Sequence, residues 1–152
     1  MGTIQSKNLM QELKLNGMLE QFETTLAEAT SGGLGHAEFL DLLLQSECDY
    51  QKKRKTENRI KSSKLPHKWV FEDFDYTANR SVTKAQIKDL MTLKWLDQGR
   101  PILIVGQTGV GKSFIAEAAA MQACRHGKTC LWMDISGLLE TLSLSKTAST
   151  YI

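Results

Sequence analysis

The segment formed by residues 106–113 limits what this 152-residue chain can fold into more than any other part of the sequence. It has the sequence G-Q-T-G-V-G-K-S and matches the pattern G-x-x-x-x-G-K-[ST] at every fixed position. The apolar run at residues 102–105 is typical of a parallel strand that is buried on both faces. A helical pattern follows the loop, and residues 130–133 form a second apolar run. Strand, glycine loop, helix and strand therefore predict an α/β fold with a parallel sheet.

Each fixed residue of the loop is suited to phosphate binding. Its three glycines are expected to permit positive φ and to let backbone N–H groups approach phosphate oxygens. The helix that starts near Lys112 directs its N-terminal N–H groups at the same anion. Lys112 can place a cation at the β- and γ-phosphates of ATP, and the Ser113 hydroxyl can coordinate Mg²⁺. With ATP and Mg²⁺ as the expected cofactors, the predicted site consists of Gly106, Gln107, Thr108, Gly109, Val110, Gly111, Lys112 and Ser113.

The chain is predicted to have three parts. Residues 1–68 form a helical domain, because apolar residues recur there at helical spacing in three segments. Asn16-Gly17 and a glycine-rich stretch after Thr30 are expected to separate those segments. The third helix is expected to continue through a basic stretch until Pro66. Residues 69–100 are predicted to form a connector and a helix, and residues 101–152 a partial ATP-binding domain.

The charges of the first fifty residues and of the basic stretch that follows them differ in sign. Residues 1–50 contain two lysines and eight acidic residues, a net charge of −6, whereas residues 52–68 contain eight basic residues and one acidic residue, a net charge of +7. Cations that surround a helix with few acidic neighbours favour contact with nucleic-acid phosphates, without base readout. The alternative is a solvated helix face. The candidate DNA-binding residues are Lys52, Lys53, Arg54, Lys55, Arg59, Lys61 and Lys64.

Other features indicate chemistry less directly. Residues 130–134 imitate a Walker B strand that ends in an acid, but Asp134 comes so soon after the loop helix that it is expected to start the next helix. Three cysteines without C-x-x-C spacing indicate reduced thiols, and the three histidines lack the spacing of metal ligands. The sequence shows neither a secretory signal nor a membrane span, so a cytoplasmic location is expected.

The order of several segments resembles a known family. Residues 13–18 have the sequence L-K-L-N-G-M, residues 38–43 have E-F-L-D-L-L, and residues 71–75 have F-E-D-F-D. The basic stretch lies between the second and third of these segments, and the glycine loop follows the third. This succession is similar to that of IstB-like ATP-binding proteins, the helper ATPases of insertion-sequence transposition. That family is similar to the DnaC-type helicase loaders of the AAA+ class, and the resemblance covers essentially the whole chain.

The resemblance implies a fold and a function. It implies an AAA+-type P-loop core, ATP binding at residues 106–113, assembly on duplex DNA with self-association in full-length relatives, and recruitment or stimulation of a transposase. The family pattern continues through a Walker B strand, a sensor residue and an arginine finger, so this chain is expected to be an N-terminal fragment with a truncated core. Two alternatives stay open: a DnaC-like helicase loader in DNA replication, and a non-hydrolysing remnant that binds DNA or a partner.

Overall fold

The computed structural model describes residues 2–77 and 82–147, and all regular secondary structure in these two ranges is helical. The chain divides into two compact units, Met1–Glu57 and Asn58–Ile152. None of the helices within the described ranges is both long and apolar enough to cross a membrane. Seven α-helices lie in the described ranges, with a 3₁₀ turn at Phe71–Asp73: α1 (Gly2–Glu12), α2 (Asn16–Thr30), α3 (His36–Ser62), α4 (Lys84–Met91), α5 (Lys94–Asp97), α6 (Lys112–Arg125) and α7 (Ile135–Thr147).

The first unit is built from α1, α2 and the greater part of α3. Its core consists of Met18, Phe22 and Leu43, which are all buried. The rings of Phe22 and Phe39 meet edge to face, with 6.4 Å between their centroids. These apolar residues come from α2 and α3 at helical spacing, so one face of each helix is removed from water.

Gly17 allows α2 and α3 to cross at very short distance. A Cβ atom added to Gly17 would lie 2.5 Å from the Ser46 carbonyl oxygen, 2.6 Å from Tyr50 Cβ and 2.8 Å from Glu47 Cα. Two of these three atoms belong to the backbone of α3, which cannot turn aside as a long side chain can. Asn16-Gly17 therefore does not simply separate two helices: both residues lie inside α2, and Gly17 is required by the helix crossing.

Glu47 fixes the start of α2 from the neighbouring helix. One of its carboxylate oxygens accepts the backbone N–H of Gly17 at 2.7 Å and that of Met18 at 3.2 Å. The other oxygen accepts the Gln51 side-chain amide at 2.7 Å. Glu47 is only 8% exposed, and a buried charge is costly without partners. These donors and the positive end of the α2 dipole compensate the charge of its carboxylate.

The second unit packs around α6. Its core includes Ile115, Ala118 and Ala119 from α6, and α6 contacts both α4 and the 3₁₀ turn. Helix α4 begins with a capping box, in which the Thr83 hydroxyl accepts the Gln86 N–H at 3.2 Å and the Gln86 side chain accepts the Thr83 N–H at 2.8 Å. This arrangement buries one face of α6 and leaves its N-terminal turn at the surface.

The prediction of an α/β fold with a truncated AAA+-type parallel core is wrong for this structure. Residues 102–105 and 130–133 are not strands, and no sheet is present in residues 2–77 and 82–147. A strand requires a ladder of backbone hydrogen bonds to a neighbouring strand. No such bond joins these two segments within the described residues, and Trp132 instead donates its N–H to the Ser63 carbonyl oxygen at 2.7 Å. Leu103 and Val105 are 87% and 81% exposed, whereas Ile104 packs against the core of the unit.

Candidate nucleotide-binding loop and basic helix

The glycine loop and the first turn of α6 form the candidate nucleotide site. Helix α6 begins at Lys112, and Gly111 precedes it in the left-handed conformation with φ 92°. Gly109 is also left-handed, with φ 84°. The positive φ expected for all three glycines is not found at Gly106, where an added Cβ would make only an ordinary contact of 3.4 Å with Val110. The turn therefore requires glycine at positions 109 and 111, since other residues rarely adopt that conformation.

The N-terminal turn of α6 presents backbone donors to solvent. Ile115 donates the first N–H of the helix ladder, to the Gly111 carbonyl oxygen at 3.1 Å. The N–H groups of Lys112, Ser113 and Phe114 precede that bond and have no acceptor within the helix. No side chain among the described residues caps them, and Ser113 is exposed. Together with the positive end of the helix dipole, these donors form a site suited to an anion.

The Lys112 side chain lies over the loop. Its Nζ donates to the Gln107 carbonyl oxygen at 2.5 Å, so the ammonium group is held beside the loop. Gln107, Thr108 and Val110 are exposed, which leaves the concave side of the turn accessible. A phosphate oxygen that entered the loop would offer Lys112 a charged acceptor, which forms a stronger hydrogen bond than a neutral carbonyl. The structure thus places a cation and free N–H donors on one short segment.

An aromatic cluster supports the first turn of α6 from behind. The Phe114 ring lies 5.3 Å from Trp69 and 5.8 Å from Phe74, measured between centroids. Trp69 in turn stacks on His67 at 4.1 Å with only 7° between the ring planes. Phe74 is buried, so Phe114 is anchored in the core of the unit directly after Ser113. The packing of Phe114 therefore fixes the position of the loop residues that precede it.

Glu117 and His67 form a second support that the sequence did not predict. Glu117 is 2% exposed, and its carboxylate accepts the His67 backbone N–H at 3.0 Å and lies 3.3 Å from the His67 ring Nδ1. A buried carboxylate needs such partners. The contact joins residues 50 positions apart in the sequence, so no local pattern indicates it. The available signal was an acidic residue on the alanine-rich face of α6.

The basic stretch at residues 52–68 is called the basic segment below, and its first part lies on α3 in the first unit. The four side chains of this part are exposed, and they are Lys52, Lys53, Arg54 and Lys55. Lys52 lies 3.6 Å from the Asp49 carboxylate in an exposed pair, and no other ion pair is formed by these four within the described residues. A hydrogen bond from Gln45, helped by the Lys52 charge, holds the pKa of Asp49 below its ordinary value. Three of the four cations are therefore free to meet an external anion.

The remaining basic residues belong to the second unit. Lys61 and Lys64 are exposed, and Lys64 lies beyond the end of α3 in a left-handed conformation with φ 57°. Arg59 is half-buried and lies against the C-terminal end of α6, where its Nη2 is 3.9 Å from the position that a Cβ on Gly127 would occupy. The negative end of the α6 dipole stabilises a cation at that place. Arg59 therefore has a structural role as well as a surface position.

Comparison with known proteins decides the family. Residues 8–152 match the family model described as IstB-like ATP binding protein. The chain belongs to this family. A relative from Mycobacterium tuberculosis, named as an ATP-binding protein in an insertion sequence, is 35% identical over 137 residues. A relative from Geobacillus stearothermophilus, named as an ATP-binding protein of insertion sequence IS5376, is 32% identical over 130 residues.

This IstB-like chain spans about half the length of the curated relatives that it matches. The two alignments cover 90% and 86% of this chain but 55% and 52% of the respective relatives. A third relative, the ATP-binding protein of insertion sequence IS21 from Pseudomonas aeruginosa, is 29% identical over 91% of this chain and 52% of its own length. The family expected from the order of sequence segments is thus confirmed.

Asp134 has a structural role in this IstB-like chain. Its carboxylate oxygen Oδ1 accepts the Gly137 backbone N–H at 2.6 Å, at the start of α7. An aspartate that accepts an N–H of the first helical turn is a helix N-cap. Asp134 therefore starts the helix, as its early position after α6 predicted.

The cysteines and histidines provide no metal centre in the described residues. No group of three or more histidine, cysteine, aspartate or glutamate side chains there could hold a metal ion. Cys48 is exposed, Cys124 is buried and Cys130 is half-buried. Burial, together with the neighbouring Cys124 thiol, raises the pKa of Cys130 to about 11. Its thiol is accordingly protonated and a poor nucleophile at neutral pH.

Proposed function

We propose that this IstB-like chain binds Mg·ATP through residues 106–113 and acts as an ATP-binding helper of DNA transposition. The observation that carries the proposal is the loop itself: a complete G-x-x-x-x-G-K-S sequence that leads into the free N-terminal turn of α6, with Lys112 folded over it. Family membership supports the ligand, and the relatives named as ATP-binding proteins of insertion sequences support the process.

The residues of the loop have distinct roles in this proposal. The N–H groups that precede Ile115 bind phosphate oxygens, and Lys112 exchanges the Gln107 carbonyl for the β- and γ-phosphates. The Ser113 hydroxyl is exposed beside these donors, and its oxygen is the kind of ligand that Mg²⁺ prefers. When bound, Mg²⁺ neutralises part of the triphosphate charge. Phe114 and Glu117 keep this constellation in place from the buried side of α6.

We also propose that the basic segment binds duplex DNA. Exposed cations attract phosphates independently of sequence, because each neutralised phosphate releases a counterion. The residues that contact phosphates are Lys52, Lys53, Arg54, Lys55, Arg59, Lys61 and Lys64. The transposase of the same insertion sequence is the proposed protein partner. A helicase loader would share both sites and would differ in that partner, so a pull-down with purified transposase separates the two functions.

Isothermal titration calorimetry with Mg·ATP and the Lys112→Ala variant tests nucleotide binding. We expect the variant to bind about 10- to 150-fold more weakly, since a hydrogen bond to a charged group contributes roughly 1.5 to 3 kcal/mol. Lys88→Ala is the matched control, because Lys88 is an exposed lysine on α4. The control should bind Mg·ATP like the parent chain. Equal affinities of the parent and Lys112→Ala would contradict the assignment of the loop.

A further inference from the structure

The turn that ends α6 has a basic sequence and a fixed backbone. Residues 125–128 have the sequence R-H-G-K and are called the basic turn below. The N–H of Gly127 is donated to the Cys124 carbonyl at 3.1 Å, and the N–H of Lys128 to the Ala123 carbonyl at 2.9 Å. Gly127 is left-handed with φ 85°, as this type of helix end requires. The side chains at 125, 126 and 128 therefore project from a rigid turn.

The C-terminal end of α3 lies directly beside the basic turn. Arg59 Nη2 approaches Gly127, as described above, and the Ser63 carbonyl accepts the Trp132 N–H at 2.7 Å. Ser63 is completely buried, so this junction is packed and not a loose surface contact. All of these residues belong to the second unit. A residue of the proposed DNA-binding set, Arg59, thus has the basic turn as its neighbour.

The cations of the basic turn are accessible and weakly held. Arg125 Nη1 lies 3.1 Å from the Glu72 carboxylate, and Lys128 Nζ lies 2.6 Å from the Asp97 carboxylate. The four side chains are 42% to 61% exposed, and exposed ion pairs contribute only about 0 to 1 kcal/mol. His126 is also exposed, and its Nδ1 faces the Gln122 carbonyl at 3.0 Å. Nδ1 must donate in that contact, because a carbonyl oxygen can only accept.

We propose that the basic turn is a further contact with the DNA backbone, continuous with the end of α3. The proposal rests on the DNA binding proposed above for the basic segment. Each strand of a duplex carries one phosphate for about every 3.4 Å of helix axis, so DNA that reaches Arg59 brings more phosphates past the neighbouring turn. The C-terminal end of α6 is the negative end of its dipole. Attraction must therefore come from the side chains of Arg125 and Lys128, which exchange their carboxylate partners for phosphates.

Deletion of one whole ion pair tests this contact without a change in net charge. The variant combines Lys128→Gln with Asp97→Asn, and binding to a duplex is measured by fluorescence anisotropy over a series of salt concentrations. Loss of one phosphate contact should make the log–log salt slope shallower by about 0.9 and weaken binding about 8-fold at 0.1 M salt. Asp97→Asn alone releases Lys128 and should strengthen binding.

A control pair and a second variant complete the experiment. Lys7→Gln with Glu23→Gln removes an ion pair of the first unit and should leave the slope as it is in the parent. Arg125→Gln with Glu72→Gln repeats the test on the other side of the turn, should the first variant fold poorly. Unchanged slopes in both turn variants would overturn the contact. A parent slope near zero would instead overturn the DNA binding on which it rests.

Discussion

Replacement of Gly17 by alanine should separate α2 from α3 and destabilise the first unit. The added Cβ would lie within 2.5 to 2.8 Å of two backbone atoms of α3 and of Tyr50 Cβ, so the helices must move apart. Overpacking of this kind costs about 1 to 3 kcal/mol. The shift also lengthens the hydrogen bonds that Glu47 accepts from the Gly17 and Met18 N–H groups, each worth about 1.5 to 3 kcal/mol because the acceptor is charged. Alanine recovers up to about 1 kcal/mol of helix propensity.

The net prediction is a loss of about 2 to 4 kcal/mol in the free energy of unfolding. Urea unfolding followed by circular dichroism at 222 nm measures it as a lower midpoint at an unchanged slope. Gly35→Ala is the matched control, because nothing lies within 4 Å of an added Cβ there and its φ is not left-handed. That variant should unfold like the parent. A Gly17→Ala chain as stable as Gly35→Ala would refute the close crossing.

Two further predictions concern the thiol beside α6 and the basic segment. Because the pKa of Cys130 is raised to about 11, the unfolded chain ionises this thiol first, and stability should fall as the pH rises from about 9 to 11. Cys130→Ser should flatten that decline in alkaline thermal melts, and a decline equal to that of the parent would contradict it. The second variant replaces Lys52, Lys53, Arg54 and Lys55 with glutamine. It should make the DNA salt slope shallower by about 3 to 4 and leave the Mg·ATP affinity unchanged. An unchanged slope would identify these four residues as a solvated helix face.

The conformation of the loop could be predicted from sequence at Gly109 and Gly111 but not at Gly106, whose φ is not positive. Gly109 and Gly111 are needed by the conformation of the turn itself, and Lys112 lies at a fixed distance from them along the chain. The core residues Phe22 and Leu43 lie in segments of residues 1–68 whose apolar residues recur at helical spacing, so the helical domain was also predictable from local pattern.

The sequence could not predict which segments of the chain contact one another. The apolar run at residues 102–105 indicates burial, but a strand exists only when another strand pairs with its backbone. Glu117 and His67 are 50 positions apart, so no local pattern joins them. Gly17 resembles a helix break next to Asn16, and only the position of α3 shows that it lies inside a helix where no Cβ fits.

The central claim is that phosphate groups bind to the loop and to the N-terminal turn of α6. Its most direct test is a titration of the ¹⁵N-labelled chain with Mg·ATP, followed by the amide chemical shifts. The largest shifts should occur at residues 109–114, and in Lys112→Ala they should require an Mg·ATP concentration about 10- to 150-fold higher. Shifts concentrated in residues 52–64, or no shifts at residues 109–114 at millimolar Mg·ATP, would contradict it.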